Sequence, residues 1–367
     1  MRLSKKKEQE YLEKVKEDGL YLKRFPKSQT EAICLAAVKE NGFALEFVNH
    51  QTPEICLEAV KENGMALEFV EEQTSEICWE AIQNTGIALQ FVETQTLELC
   101  LEAVKKNGYA LQYVDDQTPE MCLEAVKENG DVLQYVKEQT REICLEAVKR
   151  SMWALKDVKE QTHEICLEAV KKNGHALEFV NEQTGEICLE AVKKNPWALK
   201  YVKKQTPEIC LAAVKEDGWA LGYVKEQSEV ICLEAVKQRG MALRHVKKQT
   251  PDICLEAVKQ DGLALQFVDE KNSKICLEAL KQNDRALEFI QAKERTEEMI
   301  LTALFNNPTA YQLVEKPTIE VEHLFSCLMD HPDHSDSIYY QNIRCQLATH
   351  KIHFKQSPYH ALDILSH

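Results

Sequence analysis

Cysteine and histidine are the residues of this 367-residue chain with the widest chemical range, 14 of the first and 11 of the second. Seven of the histidines lie beyond residue 318, where His323 and Cys327, four apart, would share a helical face, with His331 and His334 close behind. Thiolate and imidazole are zinc ligands, and Cys345 followed by His353 has the composition of a nucleophile and its base. The ligand spacings match no familiar zinc finger, and Asp330, Asp333 and Asp336 let "DHPDHSD" read equally as a solvated loop. Two readings stay open for residues 318–367: a metal-binding or metal-dependent module built on His323, Cys327, His331 and His334, or a nonmetal cap or tail. The second is the expectation, with no cofactor.

The other twelve cysteines recur at one constant interval, from Cys34, Cys56 and Cys78 through to Cys276. Each copy of the surrounding sequence supplies one thiol and no second Cys or His at ligand spacing, which argues against zinc. Copies stacked with two helices per repeat would hold the thiols too far apart for a disulfide. The expected role is a small buried apolar residue, in keeping with Tyr11 and Ile300 at the same place in the end copies. Free thiols suit a reducing cytosol, and no secretory signal or membrane-length apolar run is present. The expected location is therefore cytoplasmic.

Such a period must be read before anything else. In "TPEICLEAVKENGMALEFVEEQ", residues 52–73, Thr52 stands in a column containing only Thr, Ser and Asn. These residues cap helix starts, and Pro53, Pro119, Pro207 and Pro251 follow the cap where proline is favoured. A second capping column runs eleven residues later through Asn63, Asn107, Ser151 and Asp217, with Arg239 the exception. The next residue is usually Gly, a common helix terminator, but Pro196 in that column excludes positive φ and indicates a helix start. Two α-helices of about nine residues per repeat are predicted, with about two residues between helices. Each carries apolar residues three, four and seven places after its cap: Ile55, Cys56 and Ala59, then Ala66, Leu67 and Val70.

Helices this short do not persist alone, so each repeat must lean on its neighbours. The predicted fold is an all-α solenoid of about thirteen helix-hairpin repeats with capping ends. A leucine-rich repeat, which also fits the period, lacks its L-x-x-L-x-L pattern here. Residues 1–29 read as an N-terminal cap in which Tyr11 takes the cysteine column, 30–294 as twelve full units, 295–317 as a degenerate thirteenth, and 318–367 as the His-rich C-terminal region. The recurring "LEAVKxNGxALxYV" core, over about residues 10 to 316, resembles the repeat known as domain of unknown function 4116. That repeat occurs in proteins of amoeba-dwelling bacteria, including Legionella-type organisms, and of giant amoebal viruses. The resemblance implies a repeat protein, by analogy a host-directed effector delivered to the host cytosol. It carries over no reaction and no site residue, and the "EQTPEI" connector is shorter than the commoner family pattern.

Columns that vary are where specificity is expected. The residue two places beyond the second cap runs through Tyr109, Asp131, Trp153, His175, Trp197 and Trp219, which no single packing slot would demand. It is either a weakly constrained edge or a recognition ladder with aromatic anchors. "RSMWALKDV" breaks several columns at once, with Met152 replacing Gly and Asp157 replacing Phe or Tyr, and His245 is a similar exception; bends or simple drift are the expectation, functional positions the alternative. Residues 31–140 hold 6 Lys and Arg against 21 Asp and Glu, whereas 141–250 hold 19 against 16. Lys193, Lys194, Lys200, Lys203, Lys204, Arg239, Arg244, Lys247 and Lys248 could form a basic stripe for an acidic partner. A net charge of −15 disfavours nucleic acid and membrane surfaces. The reading is a noncatalytic scaffold binding a protein or peptide, with Tyr109, Trp153, His175, Trp197, Trp219, Arg239, Arg244, Lys247 and Lys248 as candidate contacts. Its alternatives are the C-terminal metal-dependent module and an architectural spacer. Sequence leaves the oligomeric state open.

Overall fold

The computed structural model describes residues 4–314, 316–319, 321, 322 and 325. Among them the chain is an all-α repeat solenoid with no strand, and it divides into two units at Lys203 and Lys204. The first helix of each repeat is an α-helix of ten residues, as in Pro53–Glu62 and Arg141–Arg150. Thr52 Oγ1 accepts from the Ile55 amide at 3.3 Å, and the bond recurs with Thr140 and Ile143. These caps satisfy amides that have no intrahelical acceptor. One face buries Ile55, Cys56, Ala59 and Val60.

The second segment differs from the sequence expectation. It is a six-residue 3-10 helix, Gly64–Phe69 in this repeat, rather than an α-helix of about nine. Its bonds span three residues, Ala66 N to Asn63 O at 2.9 Å and Val70 N to Leu67 O at 3.2 Å. Burial at three, four and seven places after the cap satisfies a three-residue turn as well as a 3.6-residue one over so short a span, so the pattern could not distinguish them. The spacing is corrected too. A single residue, Asn63, closes the α-helix through its amide to Ala59 O at 2.9 Å and opens the 3-10 helix through Oδ1 to the Met65 amide at 3.0 Å. Five residues, 70–74, then lead to the next α-helix.

Within each unit, α-helices of successive repeats pack on one another and the 3-10 helices do likewise, forming two rows. Neighbouring thiols are therefore separated by one helix layer rather than two, and Cys34 to Cys276 remain free and buried. The glycine after the second cap is dictated by the same close stacking. A Cβ on Gly64 would lie 2.4 Å from the Ala81 carbonyl oxygen of the next α-helix. Where Met152 takes this place, its Sδ accepts from Asn173 Nδ2 at 2.9 Å.

Both ends add an aromatic stack. Tyr11, on the helix Lys5–Glu17, stacks on Phe25 with ring centres 4.2 Å apart, and Tyr311 stacks on Phe325 at 4.1 Å.

Candidate functional site

Each repeat presents two chemically distinct edges. The first is built around the glutamine that precedes the first cap. Gln51 Nε2 donates to the Phe69 carbonyl at 2.7 Å, and its Oε1 accepts from the Glu71 amide at 3.0 Å and from Cys56 Sγ at 3.4 Å. One side chain thus joins the connector before an α-helix to the connector that follows the same repeat's 3-10 helix. The arrangement recurs from Gln29 to Gln249, with thiol-to-glutamine distances of 3.2 to 3.8 Å. The thiol is a compact apolar residue with a weak donor, and here that donor completes the glutamine oxygen. In the thirteenth unit both partners change together. Arg295 donates to the Ile290 carbonyl at 3.0 Å and to the Leu313 carbonyl, and Ile300 stands where the thiol would be.

Burial holds these thiols protonated, pushing the Cys34, Cys56 and Cys254 pKa up to about 11, with carboxylates such as Glu71 near Cys56 adding to the effect. The same cause raises Cys144 and Cys188. A nucleophile or metal ligand needs the thiolate, so this edge is structural. No group of three or more His, Cys, Asp or Glu able to hold a metal exists among the described residues. The candidate ligands His323, Cys327, His331 and His334 lie outside the described residues, as do Cys345 and His353.

The second edge is the outer face of the 3-10 row. Three residues per turn align every third side chain, so the residues two and five places beyond the second cap form one outward stripe, flanked by the exposed residue eight places beyond it in the connector. Sequence reasoning identified only the first of these columns. A period of three in the variable positions, Trp153, Lys156 and Lys159 or Trp197, Lys200 and Lys203, is the signal that would have given the others.

Along this face the first column packs on a ring from the following repeat. Tyr109 meets Tyr135 at 6.2 Å, Trp153 meets Phe179 at 5.2 Å, His175 meets Tyr201 at 6.0 Å and Trp219 meets His245 at 5.6 Å between ring centres. The rungs are only partly covered. Trp153 is 48% exposed, Trp197 40% and Tyr223 37%. Tyr109 Oη also accepts from Asn129 Nδ2 at 3.2 Å. Burial, with Arg244 adjacent, pulls the His245 pKa below its ordinary value.

The basic candidates separate. Arg244 lies 5.9 Å from the Trp219 ring and 5.8 Å from the Phe267 ring, on the ladder, and Lys200 lies 4.4 Å from the Tyr201 ring. Lys247 Nζ donates to the Lys225 carbonyl at 2.8 Å, and Lys203 Nζ to the Asn181 carbonyl at 2.8 Å, so both ammonium groups bind backbone. Lys193 pairs with Glu190 at 3.4 Å within its α-helix, away from the stripe. Arg239 sits in the cap column and pairs with Asp217 at 3.0 Å, also off the stripe. Lys248 is exposed beside Lys247. No described helix is long and apolar enough to cross a membrane.

No curated protein and no solved structure matches the chain. Eight stretches, the overlapping residues 31–74, 52–97, 74–118, 96–140, 118–162 and 140–183 and the separate 185–227 and 250–294, match the family described as Domain of unknown function (DUF4116). Most of these span about two of the sequence repeats, and together they cover well over half of the sequence, so the chain belongs to that family.

Proposed function

We propose that this chain is a noncatalytic scaffold that binds a protein or peptide along the aromatic stripe of its 3-10 row. The observation that carries the reading is the set of partly exposed aromatic rungs, with Trp153 and Trp197 both at least 40% exposed on an otherwise well-packed repeat surface. Large aromatic side chains in a regular row offer apolar area with little rotamer freedom to lose on binding. The repeated thiols, protonated and engaged with glutamine, belong to the framework, and their abundance suits a reducing cytosol. Action inside a host cell, as an effector, fits that setting.

Selection of a random dodecapeptide display library on the full chain tests the reading, since an extended 12-mer spans about 40 Å, or roughly four rungs at 8–10 Å per packed helix. Selected peptides should bind the Trp153→Ala/Trp197→Ala variant at least about tenfold more weakly. Failure to select any peptide, or equal affinity for the variant, would contradict it.

A further inference from the structure

One rung of the ladder is unlike the rest. The register that pairs Tyr109 with Tyr135 and Trp153 with Phe179 pairs Asp131 with Asp157. At every other described repeat from Phe47 to Phe289, the Asp157 column holds Phe, Tyr or His. Two different columns have therefore changed to the same acidic residue at the two places that the repeat register pairs. Asp131 Oδ1 and Asp157 Oδ2 are each sealed from solvent without a hydrogen-bond partner, the only such side-chain atoms among the described residues. A buried polar atom left unpaired is destabilising, and an aromatic pair in the same place would instead be favourable. The rung is thus held against the local packing preference, which is where functional positions are found.

Resting on the scaffold reading above, we propose that Asp131 and Asp157 form its specificity rung, a two-carboxylate notch that takes a lysine or arginine side chain of an extended partner peptide. Charge complementarity argues for a basic occupant. From Phe43 to Asp131 the outward stripe contains Glu46 and Glu68, the flanking connector places contain Glu71, Glu93 and Asp115, and neither holds a Lys or Arg. The lysines that follow are partly committed. Lys137 Nζ donates to the Asp115 carbonyl and Lys159 Nζ to the Lys137 carbonyl, both at 2.7 Å, while exposed Lys156 stays on the stripe. Both residues are partly exposed although these two oxygens are not, so a guanidinium or ammonium meeting the rung would give each carboxylate, turned outward about its terminal torsion, a charge-assisted donor. Its alkyl stem would lie beside the Tyr135 and Trp153 rings, as suits both long cationic side chains. Extended chain rises about 3.3 Å per residue and rungs repeat about every 8–10 Å. The partner should therefore carry apolar or aromatic residues roughly three positions to either side of the basic one.

The dodecapeptide selection tests this. Peptides recovered on the wild-type chain should share one Lys or Arg flanked by apolar residues at about that spacing. Binding should fall at least about tenfold on Asp131→Asn/Asp157→Asn, one lost charge-assisted contact being worth that much, with the variant's melting temperature confirming its fold. Selected peptides that lack a common basic residue, or that bind the variant equally, overturn the inference and leave the scaffold reading standing; an empty selection removes both. Calcium or magnesium chloride alone gives a separate arm. Thermal stabilisation of the wild type by either salt, absent from the double Asn variant, would assign the rung to a metal ion and overturn the peptide assignment.

Discussion

The glutamine edge and the aromatic stripe belong to the same repeat yet follow opposite rules. On the glutamine edge the partners are backbone groups of the stack, such as the Phe69 carbonyl and the Glu71 amide held by Gln51. Any side chain that fails to reach them leaves part of the main chain unpaired, so glutamine returns from position 29 to position 249 and gives way only to Lys271 and Arg295, which donate to the Val268 carbonyl and to the Ile290 and Leu313 carbonyls. On the stripe the side chain points outward from an amide already capped by the preceding Asn, Asp or Ser, as Trp153 N is by Ser151 Oγ at 3.2 Å. The framework is complete before that side chain is chosen. Repetition therefore marks what the stack requires, and variation marks what it leaves available for recognition.

Substitutions on the two edges should separate stability from binding. The largest loss is expected at Gln139→Leu, which removes the donor to the Asp157 carbonyl and the acceptor for the Lys159 amide and Cys144 thiol. Losing these bonds at partly buried sites should cost about 2–3 kcal/mol, read from urea unfolding of the full chain, with faster hydrogen exchange at the Lys159 amide. Cys144→Ala removes a buried sulfur and its weak donor, and a cost of roughly 1 kcal/mol is expected; an equal cost to the glutamine variant would refute the ranking.

The thiols also predict an alkaline limb. Their folded pKa is raised from 9.0 to about 11 at Cys34, Cys56 and Cys254. As pH climbs past 9, the unfolded chain releases these protons while the fold keeps them. Stability must then fall between about pH 9 and 11 and lose nothing further from this source above it. Melting temperature measured across that window on the wild type and on the Cys56→Ala/Cys254→Ala variant should show a shallower fall for the variant. A small stability effect, about 1 kcal/mol or less, belongs to Trp153→Ala, whose half-exposed ring gives up its contact with Phe179, although it should weaken peptide binding.

Much of the framework was legible because its signals are local. Thr52 and Asn63 announce helix starts through their own side chains, and Ile55, Cys56 and Ala59 announce the buried face. The nature of the second segment was not, since Ala66, Leu67 and Val70 fit either helical turn within so few residues. Gln51 was silent for another reason: apart from the Cys56 thiol, its partners at positions 69 and 71 are backbone atoms, which carry no residue identity. The joint replacement of glutamine and cysteine by Arg295 and Ile300 was one clue, although Lys271 takes the glutamine place while Cys276 stays. Tyr109, Trp153, His175, Trp197 and Trp219 could be placed in one column by period alone. Their contacts with rings of the following repeat, and with them the coincidence of Asp131 and Asp157, depend on how one repeat sits on the next.

The claim that recognition belongs to the stripe is tested most directly by photo-crosslinking a selected dodecapeptide from two positions of the full chain, with benzoylphenylalanine replacing either Trp153 on the stripe or exposed Lys171 on an α-helix. A covalent adduct from position 153 and none from 171 is predicted. Adducts from position 171 alone, or from neither position while the peptide remains bound, would contradict it.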